Sequence, residues 1–476
     1  MSIMNVSKSF LSVMLLSAIT LPIIVSCSND DAAYDPTEEF KYEYEVEPNS
    51  LQTYTIPQLL DLIPEILSEG LSGIEIPQIP GLPADLSEMQ IEDLLPVLKL
   101  LIGGIDNIEE AIYDSTVYST CVFKYKSIDT KGQPVWLSGR LYFMRDRQGG
   151  FIEPDHIVLA NHHTICTNKQ APSSGLNIEA ALAHNKGLVV VPDYIGYGET
   201  VDLVHPYCIP DITARNTLDM VRAARQYFKD NGIKNIGALP FYNEGYSQGG
   251  SSALAVAKFV QTDAQASKEF KLANTYCGGG PYCMPRIYQT YVSSNINPYP
   301  IVIPMIMIGF KDCFPDLINL DLDAYFSDAI NKAGIIDYIK SKEYDDYQLM
   351  DTITKIIEPL PASGIEVGIT VKTSDVLSAE ALREGSEIYN NILAATELCD
   401  LTTNWIPQSN IHFMHSTHDE WVGYYNFEEA QKQFGNIPNV YFESIDRSTE
   451  VLGKHLLTGV TFYARAICGE YMNVYE

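Results

Sequence analysis

Apolar residues recur along the chain in several patterns, and the first of them predicts a β-hairpin. Segments 121–125 and 135–143 are rich in aromatic and β-branched residues, and they flank the turn sequence Thr130-Lys131-Gly132. Two such segments, separated by a short sequence that contains glycine, are typical of paired antiparallel strands. We therefore expect the folded core to begin near residue 116.

Beyond this hairpin, short apolar segments alternate with amphipathic ones. Segments 157–160 and 188–192 are almost continuously apolar, as in strands that are buried on both faces. Helices are predicted over 177–185 and 217–228, and the second has its apolar residues on one side. This alternation predicts a parallel sheet that is covered by helices on both faces.

The alternation of strands and helices stops near residue 285. Residues 286–400 contain long amphipathic segments, such as 324–340 and 380–395. Helical periodicity without intervening strands favours an inserted unit of helices. We interpret residues 286–400 as a mainly helical cap.

The strand pattern returns near the C-terminus, at 411–414 and 440–443, and a closing helix is predicted over 456–466. The core is therefore expected in two parts, residues 116–285 and residues 401–476. The predicted fold class is α/β, with a mostly parallel central sheet that is flanked by helices and interrupted by the cap.

The first 27 residues predict export. A short segment with one positive charge precedes an apolar stretch, and the region ends with Ile24-Val25-Ser26-Cys27. This ending resembles a bacterial lipoprotein box, in which the cysteine is acylated, so Cys27 is the predicted lipidation site. Two alternatives remain open: an ordinary signal peptide with an incidental cysteine, and an uncleaved helix, for which the apolar stretch 10–25 is short.

Two segments with different compositions lie between this leader and the core. Residues 28–50 are acidic and polar, which predicts a tether. Residues 51–115 have leucine and isoleucine at near-helical spacing, and prolines divide them into short helices. We expect a small N-terminal helical segment there, and a mobile apolar flap over a lipid-accepting site is the alternative.

The charge of the chain excludes some partners. Its 31 lysines and arginines are outnumbered by 61 aspartates and glutamates, for a net charge of −30. Phosphate backbones and anionic membrane surfaces are repelled by a chain of this sign. Binding of nucleic acid is therefore not expected.

A nucleophile is predicted at Ser247. The sequence Gly245-Tyr246-Ser247-Gln248-Gly249 fits the G-x-S-x-G pattern, in which a serine sits on a sharp turn from strand to helix. Glycines are needed there because a side chain would collide with the turn. A structural glycine-rich turn is the alternative.

A serine hydroxyl needs a base. The chain order Ser, acid, His limits the choice of histidine to His412, His415, His418 and His455. His455 lies in the predicted loop before the closing helix, from which its imidazole can reach the end of the sheet. Asp419 follows the predicted strand at 411–414 and is the expected acid, with Glu420 as its nearest rival. An exposed loop histidine and a solvated aspartate are the simpler interpretations of these two residues.

The histidines near Asp419 superficially suggest a metal site. His412 and His415 are three residues apart, so on a strand they face opposite sides and cannot converge on one ion. We therefore predict no metal.

An oxyanion hole needs two backbone N–H groups that point at the developing negative charge. One is expected from Gln248, the residue after the nucleophile. The other is expected from the loop after the strand at 157–160, around His163 or Thr164. Packing within this loop is the alternative role for its histidines.

These residues resemble the α/β-hydrolase superfamily and, within it, the secreted lipase family first described in yeasts, with bacterial lipoprotein relatives. The resemblance rests on residues 191–198, 205–225, 245–250 and 415–422. It implies carboxylic ester hydrolysis without a cofactor, a cap that shapes the acyl site, and a structural role for Asp193. One departure is that the His-Gly oxyanion loop of the family is His162-His163 here.

The predicted function is therefore an exported serine hydrolase, a lipase or esterase, that acts on small-molecule or lipid esters through Ser247, Asp419 and His455. The predicted location is the bacterial outer membrane, with a lipid anchor at Cys27, and the acidic residues after Cys27 resemble the export tag of surface lipoproteins. A serine peptidase of the same fold and a catalytically silent binding lipoprotein are the alternatives.

Overall fold

The structure is a computed structural model, and it describes residues 42–55, 117–146, 148–177, 179, 182, 186–360, 370–448 and 453–467. The predicted signal peptide with Cys27, the tether up to residue 41, and residues 56–115 of the N-terminal helical segment lie outside the described residues. Most of the helix predicted over 177–185 lies outside them as well.

One mixed sheet organises the described chain. Its ten strands are β1 (Tyr44–Val46), β2 (Gln52–Thr55), β3 (Val117–Ile128), β4 (Pro134–Met144), β5 (His156–Asn161), β6 (Gly187–Pro192), β7 (Phe241–Tyr246), β8 (Leu272–Gly278), β9 (Asn410–Ser416) and β10 (Val440–Ile445). Their spatial order is β1-β3-β4-β6-β5-β7-β8-β9-β10, and β2 also pairs with β3.

The directions of these strands agree with the sequence pattern. Strands β3 and β4 form the predicted antiparallel hairpin, and β4 pairs antiparallel with β6. From β6 to β10 every neighbouring pair is parallel. Because the carboxyl ends of parallel strands lie at one edge, the residues that follow β5, β7 and β9 are brought together there.

The N-terminal edge of the sheet corrects two predicted boundaries. Residues 44–46 of the predicted tether form β1, and residues 52–55 of the predicted helical segment form β2. The sequence Glu43-Tyr44-Glu45-Val46-Glu47 alternates with a period of two, which suits an edge strand. The Tyr44 ring stacks on Phe123, with 5.5 Å between centroids, so this half-buried aromatic group packs against the core.

Thirteen α-helices are present in the described residues. They are α1 (Pro210–Asp230), α2 (Gln248–Thr262), α3 (Ala266–Glu269), α4 (Met284–Ser294), α5 (Val302–Cys313), α6 (Asp328–Ala333), α7 (Ile335–Ser341), α8 (Asp346–Thr354), α9 (Thr373–Val376), α10 (Ala379–Leu382), α11 (Glu387–Leu398), α12 (Tyr425–Phe434) and α13 (Lys454–Ile467). No helix in the described ranges combines the length and the apolar character that crossing a membrane requires.

The helices cover both faces of the sheet. Phe241 of β7 packs in one apolar cluster with residues of α1, α2 and α12. Tyr246 is an odd number of positions away on the same strand, so it faces the other side, where its ring lies 5.7 Å from Phe462 of α13. This arrangement confirms the predicted α/β class.

The described residues between 284 and 399 form the expected helical cap, and their hydrophobic cluster also includes Cys166, Tyr207 and Ile209 of the preceding part of the chain. Its helices are shorter than predicted. The segment 324–340 is divided into α6 and α7 at Gly334, which has φ +69°. The segment 380–395 is divided by Gly385, with φ +81°, and Ser386 then caps the first turn of α11. Glycine in the left-handed region ends a helix, and serine begins the next one.

Candidate active site

Ser247 sits on a strained turn between β7 and α2. Its backbone has φ 58° and ψ −122°, in a region that residues other than glycine rarely adopt. A Cβ on Gly245 would overlap the carbonyl oxygen of Gly249, and a Cβ on Gly249 would overlap the carbonyl oxygen of Asn161. Both glycines of the motif are therefore required by close contacts between backbones, and the half-buried serine is presented at the end of the sheet.

The three residues predicted from chain order lie in one hydrogen-bonded line. His455 Nε2 is 3.0 Å from Ser247 Oγ, and His455 Nδ1 is 2.7 Å from Asp419 Oδ2. The side chain of Asp419 has no exposed surface, and that of His455 is 3% exposed. His455 belongs to the first turn of α13, whereas the sequence placed it in the loop before that helix.

The buried pair of Asp419 and His455 is electrostatically matched. Burial favours the neutral form of each group, but the charge of the other group and the hydrogen bond between them outweigh it. As a result, the pKa of Asp419 is lowered and the pKa of His455 is raised. An anionic Asp419 that accepts the Nδ1–H leaves Nε2 free to accept the serine proton.

Glu420, the rival acid, contacts the main chain of His455 with its carboxylate. Glu420 Oε2 accepts hydrogen bonds from the N–H groups of Lys454, at 3.0 Å, and His455, at 3.2 Å. Burial and the neighbouring Asp419 raise the pKa of Glu420 to about 7. The structure therefore brings Asp419, and not Glu420, to the imidazole.

The predicted oxyanion residues belong to the helix that follows the nucleophile and to the loop that follows β5. Gln248 begins α2, so its N–H is one of the N-terminal amides that have no partner within the helix. The loop after β5 approaches the same turn, because a Cβ on Gly249 would overlap the carbonyl oxygens of Asn161 and His162. His163 is exposed, and Thr164 Oγ1 is 2.8 Å from the hydroxyl of Tyr207.

His205 contacts the side chain of Gln248 and has no role in the sequence prediction beyond the resemblance. Its Nδ1 is 2.8 Å from the carbonyl oxygen of Ile195, and its Nε2 is 2.8 Å from Gln248 Nε2. Burial lowers the pKa of His205 to about 3, so the ring is neutral and accepts the hydrogen bond from Gln248 at Nε2. The sequence His205-Pro206-Tyr207 contributes to the family resemblance, but it does not indicate that His205 contacts Gln248.

Asp193 has the kind of surroundings that a structural residue has. Its buried carboxylate accepts hydrogen bonds from the Ser138 hydroxyl, at 2.5 Å, and from the Ser173 N–H, at 2.7 Å. Its carbonyl oxygen is 3.3 Å from His162 Nε2. Asp193 thus ties β4 and the segment after β6 to the loop that contains the predicted oxyanion donor.

His412 and His415, which precede Asp419 on β9, face opposite sides of the sheet, as expected for residues three positions apart on a strand. His415 is buried, its Nε2 donates to the carbonyl oxygen of Val422 at 2.8 Å, and it lies 3.5 Å from Asp419 Oδ2. His412 is on the opposite face, where its ring stacks between Tyr276 and Tyr441. Among the residues that the structure describes, no three His, Cys, Asp or Glu side chains are grouped so that they could hold a metal ion.

Two aromatic residues next to the predicted acid and nucleophile have different surroundings. Tyr246 is 3% exposed, and its hydroxyl donates to the carbonyl oxygen of His455 at 2.7 Å. Trp421 is half-buried, and its ring lies 5.3 Å from that of His455. Tyr299 of the cap stacks on Trp421 at 4.8 Å.

Solved structures with low sequence identity share this fold. The rice cell wall degrading esterase LipA of Xanthomonas oryzae, in a ligand-bound form, is 18% identical with a TM-score of 0.60 over 79% of this chain and 94% of its own. A Legionella pneumophila protein assigned as a hydrolase is 14% identical with a TM-score of 0.59 over 92% and 100%. Lipase A of Candida antarctica, in its closed state, is 15% identical with a TM-score of 0.50 over 74% and 78%. These likenesses confirm the α/β-hydrolase fold.

At the level of sequence, no curated protein matches this chain. The family model of the secretory lipases matches residues 173–466, which is more than half of the chain and includes the nucleophile turn, the cap and all but the last residue of α13. The chain therefore belongs to the secretory lipase family.

Proposed function

We propose that this protein is an exported serine hydrolase that cleaves carboxylic esters through Ser247, His455 and Asp419. The observation that carries the proposal is the line of hydrogen bonds from Asp419 Oδ2 through both ring nitrogens of His455 to Ser247 Oγ, on a turn with strained backbone. Membership of the secretory lipase family supports ester hydrolysis as the reaction.

The proposed reaction has two stages. His455 Nε2 takes the hydroxyl proton as Ser247 Oγ bonds to the ester carbonyl carbon, and the backbone N–H groups of Gln248 and of His163 or Thr164 accommodate the oxyanion. The C–O bond to the alcohol then breaks, and the alcohol leaves with the proton from His455. In the second stage, water gives a proton to His455 and attacks the acyl carbon. The bond to Ser247 Oγ then breaks, His455 returns the proton to Oγ, and the acid is released.

The test of this proposal is ester turnover by the full-length protein in detergent, with Ser247→Ala as the variant and p-nitrophenyl esters of graded acyl length as substrates. Loss of the nucleophile is expected to lower kcat by about 10⁴-fold or more. A fluorophosphonate probe should label the wild type and leave Ser247→Ala unlabelled. Ser267→Ala, at an exposed serine of α3, is the matched control and should behave as the wild type.

The alternative functions give different results in the same assay. An exported peptidase would hydrolyse aminoacyl amides faster than short acyl esters. A binding protein without activity would turn over neither and would not react with the probe. Full ester turnover by Ser247→Ala would refute the assignment of the nucleophile.

We also propose that Cys27 carries the lipid that holds the exported protein at the outer membrane. Support comes from the sequence Ile24-Val25-Ser26-Cys27 and from the secretory character of the family. In a bacterial host, Cys27→Ser should abolish incorporation of labelled fatty acid and shift the electrophoretic mobility. Unchanged labelling and mobility would contradict the anchor.

A further inference from the structure

The main chain of His455 is held at its carbonyl by the residue that precedes the nucleophile. The Tyr246 hydroxyl donates to the His455 carbonyl oxygen at 2.7 Å, and the two rings are 5.0 Å apart. Tyr246 is the last residue of β7 and is buried, with a further contact to Phe462 of α13. A buried tyrosine hydroxyl in this position fixes one atom of the histidine backbone relative to the sheet.

The amide of His455 is held by the residue that follows the acid. Glu420 Oε2 lies 3.0 Å from the Lys454 nitrogen and 3.2 Å from the His455 nitrogen. Both N–H groups belong to the first turn of α13, where amides have no acceptor within the helix and the helix dipole attracts a negative charge. Glu420 is half-buried, which reduces the access of water to the N–H groups that its carboxylate binds.

We infer that Tyr246 and Glu420 are positioning residues that clamp the main chain of His455 between the neighbours of Ser247 and Asp419. This inference rests on the proposed function, because it concerns the geometry of that same triad. Each of the other two triad members is thereby connected to His455 twice, once by its own side chain and once through its chain neighbour. The clamp fixes where the imidazole is, and Asp419 fixes which way it is turned.

Such a clamp matters because the His455 imidazole is attached to the first turn of α13, so any movement of that turn also moves the imidazole. The distance between Ser247 Oγ and His455 Nε2 is 3.0 Å. Displacement of a catalytic group by about 1 Å can lower the rate by about 100-fold while leaving substrate binding unchanged. The expected signature of the clamp is therefore a loss in kcat rather than a rise in KM.

The test compares Tyr246→Phe and Glu420→Ala with the wild type in the ester assay and in the rate of fluorophosphonate labelling. Each variant is expected to lower kcat and the labelling rate by about 10- to 100-fold with KM unchanged. Glu420→Gln keeps an oxygen that can accept the two N–H groups, so it should recover most of what Glu420→Ala loses.

Two matched controls separate the clamp from general stability. Tyr463→Phe removes a buried hydroxyl of α13 that contacts Glu179 instead of His455. Glu443→Gln removes a negative charge that pairs with Arg465 of α13. Both should leave kcat at the wild-type value, and thermal unfolding should show that all the variants are folded at the assay temperature.

The pH profile gives a readout that a purely structural role would not move. The charged and titratable groups around His455 are Asp419 and Glu420, His415 of β9, His163 of the loop after β5, Lys454 beside it, and Arg447, which bonds to Thr458 and Thr461 of α13. Glu420, whose pKa is about 7, is partly ionised over the acid limb, and its charge raises the pKa of His455. Glu420→Gln should therefore move the acid limb of kcat/KM to lower pH. Tyr246→Phe changes no charge and should leave the limb in place.

The outcomes distinguish this inference from the proposed function. If the wild type is labelled and active while Tyr246→Phe and Glu420→Ala have wild-type kcat, the clamp is wrong and the triad stands. If Ser247→Ala keeps its activity or the wild type is never labelled, the proposed function fails first. A rise in KM with unchanged kcat would also overturn the clamp.

Discussion

The two sides of the candidate site are held by different means. Ser247 is positioned by the backbone: β7, the strained turn and α2 are contiguous in sequence, and the contacts at Gly245 and Gly249 leave no space for a side chain. His455 is positioned by side chains that are distant in sequence, namely Asp419, Glu420 and Tyr246. The position of Ser247 thus depends on contacts between backbone segments, whereas the position of His455 depends on several separate hydrogen bonds.

This difference shows which side each kind of substitution should affect. On the nucleophile side, the sensitive property is the space between backbones, so small side chains are enough to disrupt the fold. On the histidine side, the sensitive property is hydrogen bonding, so substitutions that remove or reverse one of these hydrogen bonds should lower activity while the fold survives. The predictions below test that contrast, starting with the largest effect.

On the histidine side, Asp419→Asn is expected to lower kcat by about 10⁴-fold without unfolding the protein. Asparagine can keep the acceptor for the N–H groups of Trp421 and Val422, which bond to Asp419 Oδ1. Its amide would donate to His455 Nδ1, however, so the proton moves to Nε2 and the imidazole can no longer accept the serine proton. Steady-state ester kinetics and circular dichroism are the measurements.

A nearby carboxylate provides the control for Asp419→Asn. Asp446 is exposed, and its Oδ1 lies 3.6 Å from His418 Nδ1. Asp446→Asn should retain wild-type kcat. Equal losses in the two variants would mean that the negative charge of this region, and not the contact with His455, supports activity.

On the nucleophile side, Gly249→Ala should destabilise the protein by about 3 kcal/mol, because a Cβ there overlaps the Asn161 carbonyl oxygen and neither backbone can move freely. Gly237→Ala is the matched control, since a Cβ at Gly237 meets nothing within 4 Å. Urea unfolding of both variants measures the difference. If Gly249→Ala were as stable as Gly237→Ala, the backbone contact would not be a constraint.

The smallest predicted effect is on the pH dependence of the wild type. His455 must be neutral to accept the serine proton, and its pKa is raised above the ordinary value of 6.5 because Asp419 outweighs the effect of burial. Activity is therefore lost as the pH falls through this raised pKa. The acid limb of kcat/KM should have its midpoint above pH 6.5, and a midpoint below it would contradict the charge on Asp419.

The fold was predictable from sequence where the elements are contiguous and strongly patterned. The hairpin of β3 and β4 and the apolar strands β5 and β6 lie where the pattern placed them. The edge strand β1 was missed because its acidic residues outweigh the alternation of Tyr44 and Val46 in any average over composition. The helices of the cap were predicted too long, since periodicity continues across Gly334 and Gly385 although the backbone turns there.

The candidate site was predictable in so far as a motif or chain order describes it. The positions of Ser247, Asp419 and His455 follow from the glycine motif and from the ends of strands. The contacts of Glu420, Tyr246 and His205 are different, because each joins residues that are 35 or more positions apart through a backbone or amide group. Sequence identifies a side chain that is able to bond, but only the packed structure supplies its partner.

The pair of rings formed by Tyr299 and Trp421 connects the inserted helices to the proposed triad. Asp346 of α8 accepts the Tyr299 hydroxyl at 2.9 Å, the indole lies against that phenol, and the imidazole is the next ring in line. A shift of α8 would therefore be transmitted to the His455 imidazole through the rings of Tyr299 and Trp421. Exchange of this insertion for that of another lipase would change the environment of the imidazole along with any change in substrate preference.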